Sequence, residues 1–152
     1  MKAEYINPFL ESAKNVIEQV VQIKPATGQP GLKPIAIVDN FIFIQIDIHG
    51  QMQGHIVFGI SEPVALKMIS AMMGGFAISQ IDEIGRSAIS ELGNMISGNA
   101  STLLYNQGVH VDITPPVIVT TLTSAMTAVK ALTIPLIMDG IGEMDIQVLI
   151  AS

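Results

Sequence analysis

Residues 82–106 read DEIGRSAISELGNMISGNASTLLYN. The helix they form starts near Ser79 to Asp82, runs to about Asn106 and stops at Gly108. Placed at about 100° per step, Ile84, Ala88, Ile89, Leu92, Met95, Ile96, Ala100 and Leu103 fall on one side and make a core face. The other side holds Arg86, Ser87, Ser90, Glu91, Asn94, Ser97, Gly98 and Ser101. A solvated helix face is normally Glu, Lys, Gln and Ala, which favour helix and stay hydrated. Here six of the eight are Ser, Gly or Asn, all weaker helix formers. So smooth and small a surface admits close approach, either by another macromolecule or by a second helix of the same chain. Glu91 and Asn94 sit in its middle, three residues apart and therefore adjacent along the helix. A carboxylate can pair with a lysine, and a carboxamide can orient water by donating and accepting hydrogen bonds. Plain surface decoration gives the same spacing, and spacing alone does not choose.

Strands follow this helix at Val111 to Ile113, Val117 to Leu122, Lys130 to Met138 and Met144 to Ile150, with Asp139-Gly140 as a turn. The first half has the same order. Asn7-Pro8 reads as a helix start, and Phe9, Leu10, Ala13, Ile17, Val20 and Val21 recur at helical spacing. Lys24 to Lys33, with Pro25, Gly28, Pro30 and Gly31, reads as a loop. Strands are expected at Ile35 to Val38, Phe41 to Ile48 and His55 to Ile60. A shorter helix then opens at Ser61-Glu62-Pro63 and ends at Gly74-Gly75.

The halves also match in detail. Pro34-Ile35-Ala36-Ile37-Val38 corresponds to Pro116-Val117-Ile118-Val119-Thr120, and His49-Gly50 to Asp139-Gly140. Ile56-Val57-Phe58-Gly59-Ile60 corresponds to Ile146-Gln147-Val148-Leu149-Ile150. Hairpins rich in Ile and Val look alike in general, but here the order is kept over three elements. The expectation is a single α+β domain over 1–152, with helices packed on an antiparallel sheet. It carries a pseudo-two-fold repeat of a helix-plus-strands unit, about 5–60 and 81–150, with longer loops in the second half around Thr121 to Val129.

Composition narrows the function. The chain has 152 residues, 49% hydrophobic and only 13% charged, and a net charge of −6. Cysteine is absent, which excludes disulfide scaffolds, thiol nucleophiles and Cys-ligated metals. Arg86 is the single arginine and the six lysines are scattered, so neither nucleic acid nor an anionic membrane surface suits the chain. No apolar run reaches the ~18 residues a membrane helix needs, and Met1 to Leu10 lacks a signal core, so a cytoplasmic protein is expected. His49, His55 and His110 are too dispersed for a metal site. Asp82-Glu83 sits where acids favour a helix start. Met68, Met72 and Met73 read as core packing or as an adaptable binding surface.

At Ser87-Ala88-Ile89-Ser90-Glu91-Leu92-Gly93-Asn94, followed by Pro115-Pro116, the sequence resembles the CheC/CheX/FliY phosphatases of bacterial chemotaxis. Their hallmark is Asp or Ser, three residues, Glu, two residues, Asn, then Pro a little over twenty residues later. The Asn7-Pro8-Phe9 opening and the duplicated plan extend the likeness over most of the chain. The resemblance implies that the long helix docks into the active site of a phosphorylated CheY-type response regulator and promotes hydrolysis of its aspartyl phosphate. It implies that Asn94 positions the attacking water and that Glu91 pairs with a lysine of the regulator. Ser87, Ser90, Ser97 and Gly98 then belong to the partner-binding face, and Pro116 is structural support. No cofactor of the chain's own is implied, since Mg2+ belongs to the regulator. Glu11 and Lys14 stand in the first helix where the pair would repeat. A lysine cannot orient water and would repel the regulator's lysine, so one site per chain is expected, the CheX-like pattern. In that pattern the protein is a homodimer paired at sheet edges. The rival readings are a non-catalytic regulator-binding or adaptor module of the same fold, and a dimeric scaffold whose sheet edge is the only functional surface.

Overall fold

The alternation of apolar and polar residues in Phe41 to Ser61 and in Lys130 to Ile150 builds two long hairpins. The computed structural model describes residues 3–34, 40–119 and 130–150. In chain order the elements are α1 (Ala3–Val20), β1 (Ala26–Thr27), β2 (Gly31–Pro34), β3 (Phe41–Gly50), β4 (Gly54–Ser61), α2 (Glu62–Met72) and α3 (Glu83–Asn106). They continue as β5 (Val111–Ile113), β6 (Val117–Val119), β7 (Lys130–Met138) and β8 (Gly142–Ile150). The expected α+β class, helices on an antiparallel sheet, is what the chain adopts. Ile35 to Val38, Thr120 to Leu122 and the loop to Val129 lie outside the described residues.

The eight strands of the described residues form one sheet in the order β1-β7-β8-β4-β3-β5, with β2 also on β7 and β6 also on β3. The two hairpins meet at the centre, where β4 runs antiparallel to β8 with Val57 opposite Gln147. The flanks are exchanged: β2 of the first half borders β7, and β6 of the second half borders β3.

One face of the sheet carries the helices. Ile44, Ile46, Ile56, Phe58, Leu136, Ile146 and Val148 point there, all essentially inaccessible, against Phe9 and Ile17 of α1, Met68 and Ile69 of α2, and Ile89, Leu92 and Ile96 of α3. Each side chain of this size contributes about 1.5–3 kcal/mol on leaving water. The opposite face holds a smaller cluster of Phe43, Val57 and Ala131. It also holds Asp47, whose Oδ1 lies 2.6 Å from His55 Nδ1 and accepts from Gln45 Nε2 at 2.9 Å. Burial works against the Asp47 carboxylate. The hydrogen bonds from Gln45 and His55 and the nearby His55 and His49 outweigh it and hold the group below its ordinary range. Among the described residues, no helix is long and apolar enough to cross a membrane.

Two local expectations need correction. Lys24 to Lys33 is not all loop, because β1 and β2 pair with β7, and Gly28 donates its backbone N–H to Pro135 O at 2.8 Å. Strands at a sheet flank need only one side hydrogen-bonded, so the prolines that spoil a central strand are tolerated. Likewise α1 begins at Ala3, with Pro8 inside it, not at Asn7. The apolar stripe of Ile6, Phe9, Ala13, Val16 and Ile17 reaches back past the proline into the core, and its burial outweighs the lost backbone donor.

The contact that places α3 on the sheet is at Gly93. A Cβ there would lie 3.0 Å from Ile44 Cγ2 and 3.0 Å from Pro116 Cβ. Replacing Gly93 with Ala would gain up to about 1 kcal/mol of helix propensity, but forcing a methyl into so tight a gap costs about 1–3 kcal/mol. Gly93→Ala is therefore expected to destabilise the protein by about 1 kcal/mol in denaturant unfolding, and by roughly half as much in a Pro116→Ala background. Simple additivity would mean that the proline does not set the spacing. Asp47→Asn is expected to lower the melting temperature at pH 6–7. Because the folded-state pKa is depressed, the native carboxylate stabilises fully above about pH 4 and less as pH falls through its folded value. The gap between the two proteins should accordingly close in acid, as thermal melts across pH would show.

Candidate functional site

The long helix opens at Asp82, whose Oδ1 accepts from the Gly85 backbone N–H at 2.8 Å. Ordered from this cap, its inward stripe is Gly85, Ile89, Leu92, Gly93, Ile96, Ser97, Ala100 and Leu104. The expected core face was set slightly off in rotation. Ile84 is 61% exposed, and Leu104, not Leu103, is fully buried. Close approach at Gly93 favours this phase, because a side chain there would press on Pro116 and Ile44 at 3.0 Å.

With Leu92 and Gly93 inward, Glu91 and Asn94 both point outward and are exposed. Among the described residues neither side chain has a hydrogen-bond or ion-pair partner. Ser87 and Gly98 are exposed beside them and Ser90 is half-buried. Ser97 is the member that the structure moves off this surface. It is 8% exposed, and its hydroxyl donates to Gly93 O at 2.9 Å, so it serves the helix and does not face a partner. Pro116 is half-buried against Gly93, on the inner side of the helix and just behind the Glu91–Asn94 pair.

The two readings of the small-residue face separate here. First and third helices do pack together, but Asn99 shares a surface recess with Asn15, Glu18 and Gln19 of α1, on another side of α3 from Asn94. Glu91, Asn94, Gly98 and Ser101 stay uncovered. Gly98 is informative: a methyl there would meet nothing within 4 Å, so nothing inside the chain requires a glycine. In α1 the corresponding Glu11 is exposed and Lys14 half-buried. The carboxyls whose protonation the fold shifts lie across the sheet from this face. Among the described residues they are Asp47 and Asp145, the latter raised by burial and by Glu143.

Sequence reasoning did not single out Gly93, although a glycine in a helix interior costs about 1 kcal/mol relative to alanine and is itself a sign of close packing. His55, which the sequence places beside a turn, pairs with Asp47 across the hairpin.

Known proteins resemble this chain in sequence and in fold. Residues 42–140 match the family described as chemotaxis phosphatase CheX. The chain is 40% identical over 119 residues to the CheY-P phosphatase CheX of Thermotoga maritima, which covers 78% of this chain and 77% of that protein. A CheC-like superfamily protein from Shewanella sp. PV-4 superposes with a TM-score of 0.82 at 25% identity, with both chains covered in full. In fold the chain also resembles the CheX–CheY–BeF3–Mg2+ complex from Borrelia burgdorferi, at TM-score 0.80 and 24% identity over 97% of this chain and 98% of that one. With both the sequence and the architecture in agreement, the chain belongs to the CheX family of chemotaxis phosphatases.

Proposed function

We propose that this protein dephosphorylates a CheY-type response regulator, with Asn94 and Glu91 as its working pair. The observation that carries the reading is their placement: side by side, outward and without partners among the described residues, on a helix packed closely at Gly93 against Ile44 and Pro116. Family membership supplies the reaction class, and the solved Borrelia relative in complex with CheY supplies the kind of partner.

In this reading α3 lies across the regulator's phosphorylation site. The Asn94 carboxamide accepts from and donates to a water, aligning it opposite the bond to be broken. The water oxygen forms the new bond to phosphorus as the bond to the regulator's aspartyl oxygen breaks, and carboxylate and inorganic phosphate are released. Phosphoryl transfer asks for positioning more than for covalent help, so one carboxamide on a stiff helix suffices. Glu91 pairs with a lysine of the regulator and fixes the helix in register. Ser87, Ser90 and Gly98 let the backbones come close. The divalent ion is the regulator's, and the chain contributes no cofactor.

The same reading takes the chain as a duplicated unit, about 5–60 and 81–150, with support from the exchanged flanks of the sheet. Lys14 in the Asn94-equivalent position leaves one working helix per chain. Homodimer formation through a sheet edge draws support from the flanking strands β2 and β6, which expose Leu32 and Val117.

Loss of phosphate from a phosphorylated CheY-type regulator tests the assignment directly. Asn94→Ala is expected to fold normally and lose about 100-fold of the acceleration. Glu91→Ala is expected to raise KM by about tenfold or more, through the regulator charge it leaves unpaired. Normal activity in both variants overturns the roles, and binding of the regulator without acceleration by the native chain favours the adaptor reading. Gly98→Ala should raise unfolding stability by up to about 1 kcal/mol while slowing dephosphorylation, because the methyl occupies space reserved for the regulator. A stabilised variant with full activity would remove Gly98 from the docking face.

A further inference from the structure

The outward residues of α3 do not form a loose patch. Ile84, Ser87, Glu91, Asn94, Gly98, Ser101 and Tyr105 alternate at spacings of three and four and make one outward seam about 100° wide, drifting slowly round the helix. Its two ends are apolar and open to solvent: Ile84 is 61% exposed and Tyr105 70%. At 1.5 Å per residue, Ile84 lies about 15 Å before Asn94 and Tyr105 about 16 Å after it. Asn94 is thus at the midpoint of a polar strip with an apolar side chain at each end.

The Tyr105 end is also shaped, with apolar and polar groups side by side. Its ring meets His110 edge-on with centroids 6.0 Å apart. With Val109 and Val111 as apolar lining and Ser101, Thr102 and Asp112 as polar lining, they border an open groove of about 530 Å³ that continues the seam beyond the helix.

We propose that Ile84 and Tyr105 anchor the phosphorylated regulator at the two ends of the seam, with an apolar side chain of the regulator entering the groove beside Tyr105. This inference rests on the function proposed above. If Asn94 reaches the phosphorylated aspartate, the regulator necessarily covers the seam around it. A standard interface of about 800 Å² per partner is a disc of radius about 16 Å, which reaches both ends. The polar middle is committed to water and lysine, so desolvation that favours binding falls to the two apolar ends. Two anchors on opposite sides of the reacting atoms also prevent the helix from pivoting, which keeps the water in line.

The test is steady-state dephosphorylation of a phosphorylated CheY-type regulator, with titration of the same regulator loaded with beryllofluoride as a binding readout. Ile84→Ser and Tyr105→Ser should each raise KM and Kd by about fivefold to tenfold. The double variant should raise them by about 30-fold to 100-fold, with kcat at saturation within about twofold of the native value. Tyr105→Phe keeps the ring and should bind like the native chain. Ile137→Ser, exposed on β7 away from the seam, should leave KM where it was. Unaltered KM and Kd in the double variant, alongside loss of activity in Asn94→Ala, would overturn the anchors and leave the catalytic reading standing. Failure of the native chain to accelerate or bind any CheY-type regulator would overturn both. A change in the mass of the unliganded double variant by light scattering, with Kd unaltered, would assign the seam to a second copy of the chain and overturn the proposal.

Discussion

At Gly93 the backbone of α3 lies against Ile44 and Pro116, which a Cβ would meet at 3.0 Å. That single approach sets both the height of the helix and its rotation. Once Gly93 faces inward, Leu92 and Ile96 enter the core, and Glu91 and Asn94 are turned out on the opposite side. The helix then needs no further device to orient its polar pair. A packing constraint in the interior thus becomes positional accuracy at the surface, which the water-positioning role proposed for Asn94 would need.

Much of the architecture was legible in the chain. The capping position at Asp82, the stops at Gly74-Gly75 and Gly108, and the long hairpin strands lie close to where periodicity and turn chemistry put them. These signals are local: a cap, a left-handed glycine and a two-residue alternation act within a few positions. What was not legible depends on distant partners. β1 and β2 are strands only because β7 runs beside them, and the Pro and Gly residues around them read locally as loop. Pro8 sits inside α1 because residues on both sides of it share one buried stripe.

The site divides in the same way. The side chains and spacing of Glu91 and Asn94 were visible at once. The rotation of α3 was not, because an ideal wheel places Ile84 and Leu103 among the core residues and Ser97 among the outer ones. A rotational error of one residue exchanges exposed for buried at the margins of a helix face, and only tertiary contact corrects it. Gly93 and Gly98 show why residue type alone is insufficient. Both are glycines on one helix; the first is required by the protein's own interior, and the second meets nothing inside it.

The exchanged flanks of the sheet also bear on how the chain is made. β3 borders β6, about seventy residues later, and β2 waits for β7 across an even longer stretch. Neither hairpin can complete its sheet from its own half of the sequence. During synthesis the first half therefore leaves the ribosome with unsatisfied strand edges until nearly all of the second has followed. Contacts so distant in sequence delay folding and lengthen the exposure of apolar strands. The interlock leaves the nascent chain with an incomplete sheet until β7 and β8 have been made, and a product that stops before them would be a substrate for chaperones or proteases.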